Sequence, residues 1–149
     1  VDAVIFIGIP GSGKTTFYRR RFFDTHLRIS LDMLKTRHRE RLLVEACVAA
    51  RQGFVVDNTN VLRMERAEYI RRARPAGFRI HGYFFAPDVH RAIAWNEQRS
   101  GKARIPLKGL LGALKRMERP CLEEGFDYLY QVELDPQGEF VVAAMLAPA

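Results

Sequence analysis

The chain has 149 residues, 48% of them hydrophobic, with no low-complexity stretch, which fits one globular domain over 1–149 and excludes a disordered or fibrous class. Lys and Arg outnumber Asp and Glu by 24 to 17, and the formal charge of +7 favours an anionic partner. Its two cysteines, Cys47 and Cys121, lack metal-ligand spacing, which argues against zinc and suits a reducing, cytoplasmic setting. In chain order, Ala3 to Gly8 is a continuous apolar run expected to form a strand buried on both faces. It is entered without the basic region or cleavage site of a signal peptide, and the start at Val1 in place of Met reads as a piece trimmed from something longer.

A glycine-rich turn leads into a basic helix from about Lys14 to Phe23, and Leu27 to Ser30 is a short second strand. In that helix Tyr18, Phe22 and Phe23 are read as core packing in preference to a base-stacking surface. Asp32 to Arg51 is expected to be one helix with Leu42, Leu43, Ala46, Cys47 and Ala50 on its buried face, stopped by Gly53. Phe54 to Val56 is the next buried strand, closed by Asp57-Asn58-Thr59-Asn60. A helix over Met64 to Arg74 ends at Pro75-Ala76-Gly77, and Phe78 to Phe85 alternates enough to be a strand nearer an edge. Asp88 can cap a helix running to about Arg99. A polar, basic loop covers Ser100 to Arg104, followed by a helix over Leu107 to Met117. Tyr128 to Leu134 is a strand, and Asp135-Pro136-Gln137-Gly138 turns into a hairpin strand over Glu139 to Val142. Alternating strands and helices specify an α/β fold with a parallel sheet covered on both faces. No apolar run reaches membrane-spanning length, so no membrane partner is expected.

Gly8-Ile9-Pro10-Gly11-Ser12-Gly13-Lys14-Thr15 is a complete phosphate-loop pattern, followed by Thr16 and set between an apolar strand and a helix. Its glycines let backbone N–H groups of residues 11 to 15 converge on phosphate oxygens at the start of the helix. Lys14 brings a mobile cation to the β- and γ-phosphates of ATP, and the Thr15 hydroxyl supplies an oxygen ligand to Mg²⁺. Asp57 ends a strand on the same carboxyl edge and can hold that Mg²⁺ or serve as a turn aspartate; the metal role is preferred, with Asn58, Thr59 and Asn60 as polar cleft partners. Asp32, at the start of a helix on that edge, is placed equally well to be a general base for a hydroxyl acceptor or an ordinary N-cap. Arg99, Lys102 and Arg104 flank Ser100-Gly101 in a composition suited to a small lid closing over ATP, or to a solvated loop. Arg19 to Arg21 and Lys35, Arg37, Arg39 and Arg41 add cations that can follow a nucleic-acid backbone. The four histidines, His26, His38, His81 and His90, are read as incidental.

Gly8 to Thr16, Val56 to Asn60, and Glu118-Arg119-Pro120-Cys121-Leu122-Glu123-Glu124-Gly125-Phe126-Asp127 together resemble the kinase domain of the 5′-hydroxyl polynucleotide kinases of phage and animal cells, an AAA-type ATP-binding kinase-like domain. The similarity runs from Val4 to about Val132, with Asp32, the basic lid and Pro106 in matching order. The resemblance implies an adenylate-kinase-like P-loop fold and transfer of the ATP γ-phosphate, with Mg²⁺, to the 5′-hydroxyl end of DNA or RNA. It makes Asp32 the general base and Arg99 the lid arginine, gives Lys35 the place of an acceptor-phosphate residue, and has Asn60 and Arg66 ordering the acceptor cleft. Leu31 stands where many members have a basic residue, Lys35 replaces an arginine, and Trp95 replaces a second lid arginine. A lysine grips phosphate less specifically than a bidentate arginine. A small-molecule kinase of the same fold is therefore the second reading, and a nucleotide-binding module with weak ATPase activity the third.

Overall fold

The computed structural model describes residues 1–98 and 106–145. Six strands form one sheet in the order β2-β3-β1-β4-β5-β6. They are β1 (Asp2–Ile7), β2 (Leu27–Ile29), β3 (Phe54–Val56), β4 (Arg79–Phe85), β5 (Tyr128–Leu134) and β6 (Phe140–Ala144). The first five run parallel, while β6 is antiparallel to β5. The helices are α1 (Lys14–Arg21), α2 (Leu31–Leu34), α3 (Arg37–Ala50), α4 (Arg63–Ala73), α5 (Val89–Glu97) and α6 (Leu107–Arg116).

The apolar run of β1 is the centre of the core because both of its faces are covered. Ala3, Ile5 and Ile7 pack with Val44 and Cys47 of α3 and with Tyr69, Ile70 and Ala73 of α4. Val4 and Phe6 face Phe17, Tyr18 and Phe22 on the other side. Burying each large apolar side chain of this strand contributes roughly 1.5–3 kcal/mol. The β3-β1 neighbourhood has a direct consequence for the site, since it sets the end of β3 beside the loop that leaves β1. The Gly8 N–H donates to Thr59 O at 2.9 Å and fastens the two chain segments together there.

Four expectations are corrected. The Asp32–Arg51 helix is two helices, because Lys35 takes a left-handed φ of 73° and closes α2. Thr36 then opens α3, its Oγ1 accepting from Arg39 N–H at 3.2 Å. The buried face of α3 is Glu40, Val44 and Cys47, while Leu42, Ala46 and Ala50 are exposed; a charged residue, Glu40, anchors that face. Strand β4 lies between β1 and β5, inside the sheet. Its alternation comes from a sheet face left partly open at this end, where His81 stacks on Tyr128 and Tyr83 on Tyr130, each pair with ring centroids 4.9 Å apart. Among the described residues, β1 is thus more fully buried than β4 and β5. Finally, Tyr18 is buried and Phe22 packs against the core, but Phe23 is 68% exposed.

Candidate active site

The phosphate loop takes its shape from two left-handed glycines, Gly11 at φ 78° and Gly13 at φ 91°, conformations that a side chain disfavours. A Cβ on Gly11 would also meet the Ala92 carbonyl oxygen at 2.8 Å. Gly13 is the N-cap residue of α1, and its carbonyl accepts the Phe17 N–H at 2.9 Å. The first-turn N–H groups of α1 therefore face the pocket at the positive end of the helix. Lys14 folds back over the loop: its Nζ donates to Gly8 O at 3.0 Å and Ile9 O at 2.9 Å and approaches Ser12 Oγ at 3.4 Å. These contacts preset the ammonium group above the loop. Thr16 is half-buried on the same first turn.

A cavity of about 300 Å³ opens over this loop. Its walls are Pro10 to Thr15, then Leu31 and Asp32, then Asp57, Asn58 and Thr59. Residues from three chain segments, distant in sequence, thus share one chamber. Within it the Thr15 hydroxyl donates to Asp57 Oδ2 at 2.9 Å, and Arg28 Nε donates to the same oxygen at 2.8 Å. A second cavity, about 520 Å³, shares Gly11 and Ser12 with the first and extends along Phe85 to Arg91 and the ends of β5 and β6. Here Asp88 caps α5, accepting from the Arg91 N–H at 3.0 Å.

Asp32 is exposed, and its place depends on an inward network. Asn58 Oδ1 accepts from the Leu31 N–H at 2.9 Å, tying the start of α2 to the end of β3. Asn58 Nδ2 donates to Glu40 Oε2 at 2.8 Å. Glu40 Oε1 accepts from Tyr69 OH and Arg37 Nη1, both at 3.0 Å. Burial, reinforced by the Glu40 charge, pushes the Tyr69 phenol well above its ordinary range, so it remains a donor. Lys35 is exposed at the C-terminal end of α2.

Two residues expected at the cleft are buried and do not line it. Arg66 is fully buried, with Nε and Nη2 gripping the two Glu124 carboxylate oxygens at 2.8 and 2.9 Å. Its Nη1 donates to Asn60 O at 2.9 Å and Val61 O at 3.2 Å. Asn60 is buried with φ 46°, and its Nδ2 donates to Phe6 O at 2.8 Å. Neither lines the cavity, and their donors go to backbone carbonyls and a carboxylate. Arg99 and Arg104, with the rest of the Ser100–Arg104 loop, lie outside the described residues. Sequence reasoning missed Arg28, Glu40, Tyr69 and Glu124. The signal for Glu40 was a charge on the core side of α3, and for Arg28 a charge inside a short apolar strand.

Comparison with known proteins agrees with this fold. A family model described as an AAA domain matches residues 4–120. The chain belongs to the AAA domain family. Among solved structures it is similar to Kti12 of Chaetomium thermophilum in complex with ADP-AlF3, at 19% identity and a TM-score of 0.68 over 89% of each chain. A sugar kinase from Janibacter sp. HTCC2649 aligns at 16% identity and a TM-score of 0.65, over 89% of this chain and 85% of that one. A gluconokinase from Sinorhizobium meliloti 1021 aligns at 19% identity and a TM-score of 0.60, over 89% and 82%. At these identities the likeness establishes the fold alone, a P-loop kinase-like α/β sheet. Among the described residues no helix is long and apolar enough to cross a membrane.

Proposed function

We propose that this protein is a kinase that moves the γ-phosphoryl group of ATP to a hydroxyl, with the 5′-hydroxyl end of a nucleic acid as acceptor. The observation that carries the reading is the single cavity of about 300 Å³ whose wall includes Lys14, Thr15, Asp57 and Asp32. The triphosphate lies along Gly11 to Thr15, and the neighbouring cavity of about 520 Å³ takes the nucleoside. Lys14 binds the β- and γ-phosphates. Asp32, an exposed carboxylate on the opposite wall, orients the acceptor hydroxyl and takes its proton as the new P–O bond forms. Arg99 and Arg104 are assigned the lid role on sequence grounds alone.

Thr15 and Asp57 suit Mg²⁺, since two oxygen donors 2.9 Å apart face the phosphate cavity and this ion prefers oxygen. Among the described residues no cluster of three His, Cys, Asp or Glu side chains could hold a metal, so phosphate and water oxygens would complete its ligands. When bound, the ion would offset charge on the phosphate oxygens.

The formal charge of +7 and the exposed Arg37, Arg39 and Arg41 at the start of α3 support a polyanionic acceptor. A small-molecule acceptor is the second reading. It is favoured by Leu31 and Lys35 beside Asp32, and by the gluconokinase and sugar kinase among the structures of similar fold. The deciding experiment offers the protein γ-labelled ATP with Mg²⁺ and two acceptor sets, 5′-hydroxyl oligonucleotides and a panel of sugars and polyols. Label on the oligonucleotide is expected. Label confined to the small molecules would replace the acceptor, and no label on either set would remove the kinase reading.

A further inference from the structure

We infer that Arg28 is a resident counter-cation of the metal position: without nucleotide its guanidinium stands in for the divalent ion, so that the ion enters only together with nucleotide phosphates. The inference rests on the proposed metal role of Thr15 and Asp57, and extends it to a residue with no role in that reading.

The Asp57 side chain is only 2% exposed, and a carboxylate removed from water requires a partner. Arg28 supplies one from the adjacent strand β2. Its Nε donates to Asp57 Oδ2 at 2.8 Å, and its Nη2 donates to Thr15 Oγ1 at 3.3 Å. The Thr15 hydroxyl in turn donates to that same Asp57 oxygen at 2.9 Å. A closed triangle results, in which both protein oxygens assigned to the metal are already engaged by one fixed cation. The nearby Tyr18 phenol does not enter the triangle, because its hydroxyl donates to His26 O at 2.6 Å.

Two cations cannot share this corner without cost. A divalent ion placed within a few ångströms of a guanidinium is repelled, and the burial of Asp57 makes that repulsion larger than in water. The ion must therefore displace Arg28, whose side chain at 25% exposure has solvent to move into. Nucleotide changes the balance in two ways. Its phosphates give the ion new ligands and give the released guanidinium another anion to pair with. Metal and nucleotide then bind with positive coupling, and Arg28 is the positioning residue that sets it.

The test titrates Mn²⁺ into the nucleotide-free full chain and follows unbound ion by electron paramagnetic resonance. Wild type, Arg28→Gln, Arg28→Lys and the double variant Arg28→Gln/Asp57→Asn are compared, each checked for folding by its melting curve. Arg28→Gln, which keeps a donor but loses the charge, is expected to bind Mn²⁺ at least about tenfold more tightly than wild type. Arg28→Lys should stay near wild type, and the double variant should lose the gain. In parallel, a fluorescent ADP analogue measures how far Mg²⁺ raises nucleotide affinity in wild type and in Asp57→Asn. If Mg²⁺ raises affinity through Asp57 but Arg28→Gln binds Mn²⁺ no better than wild type, Arg28 is not a counter-cation and the metal reading stands. If Asp57→Asn keeps the full Mg²⁺ effect, the metal reading fails first and this inference with it.

Discussion

The two walls of the phosphate cavity are built by different means. The donor wall, Gly8 to Thr15, is backbone held between a strand buried on both faces and the helix it leads into, with glycines at φ 78° and 91° setting its curvature. The acceptor wall is a four-residue helix, α2, carrying an exposed Asp32 and closed by a left-handed Lys35. What holds that short helix in place is a chain of side-chain hydrogen bonds from Asn58 to Glu40 and Tyr69. One wall is thus fixed by local backbone geometry and core burial, the other by polar groups brought together only by the fold. The acceptor wall is the one that substitutions can loosen selectively.

The buried pair of Arg66 and Glu124 should be the costliest to break. Arg66→Ala leaves Glu124 as an unpaired buried carboxylate and frees the Asn60 and Val61 carbonyls, so a loss of about 3–5 kcal/mol is expected in denaturant unfolding. Nucleotide binding and transfer should fall together in that variant, and a loss of transfer alone would assign Arg66 to the acceptor side. Glu40→Ala should sharpen the contrast between the walls. It strips partners from Asn58, Tyr69 and Arg37, costing roughly 1–3 kcal/mol. Transfer should drop more than nucleotide affinity, as separate kinetic and binding measurements would reveal; an equal drop would mean that the network supports both walls. Tyr69→Phe removes one donor from the same network, and about 0.5–1.5 kcal/mol is expected with a smaller decline in transfer.

The smallest effect concerns pH. Burial lowers the His26 pKa below its ordinary 6.5, with His81 acting in the same direction and Asp2 opposing both. A depressed folded-state value means that the unfolded chain binds the extra proton first, so stability is complete above pH 6.5 and declines as pH falls toward the folded value. His26→Gln should flatten that part of a stability–pH curve while leaving nucleotide affinity at pH 7.5 unchanged.

The same contrast governs what could be read from the chain alone. The phosphate loop is legible because its chemistry depends on residue type at fixed spacing, and its strand–turn–helix setting is local. The place of Asp57 was legible because it closes the apolar run that forms β3. The break at Lys35 and Thr36 was not, since helical periodicity continues across it and only the capping preference of Thr36 marks the restart. The Glu-Glu-Gly-Phe stretch carried the family resemblance, yet its purpose emerges only in three dimensions, where Glu124 reaches Arg66 and Phe126 enters the core. Arg28 was missed because a charge in a three-residue strand has no pattern of its own, and its partners lie 13 and 29 positions away.

The central claim is that one chamber joins a nucleotide-holding wall to a separate wall carrying the base. Its most direct test compares Lys14→Ala and Asp32→Ala in two readings, affinity for ATP and transfer of the γ-phosphoryl group to whichever acceptor the labelling experiment identifies. Lys14→Ala is expected to lose both. Asp32→Ala should bind ATP as wild type does while transfer falls by about 10²–10⁴-fold, the contribution expected of a positioned general base. Transfer at the wild-type rate in Asp32→Ala would contradict the account, leaving a nucleotide-binding wall with no base opposite it.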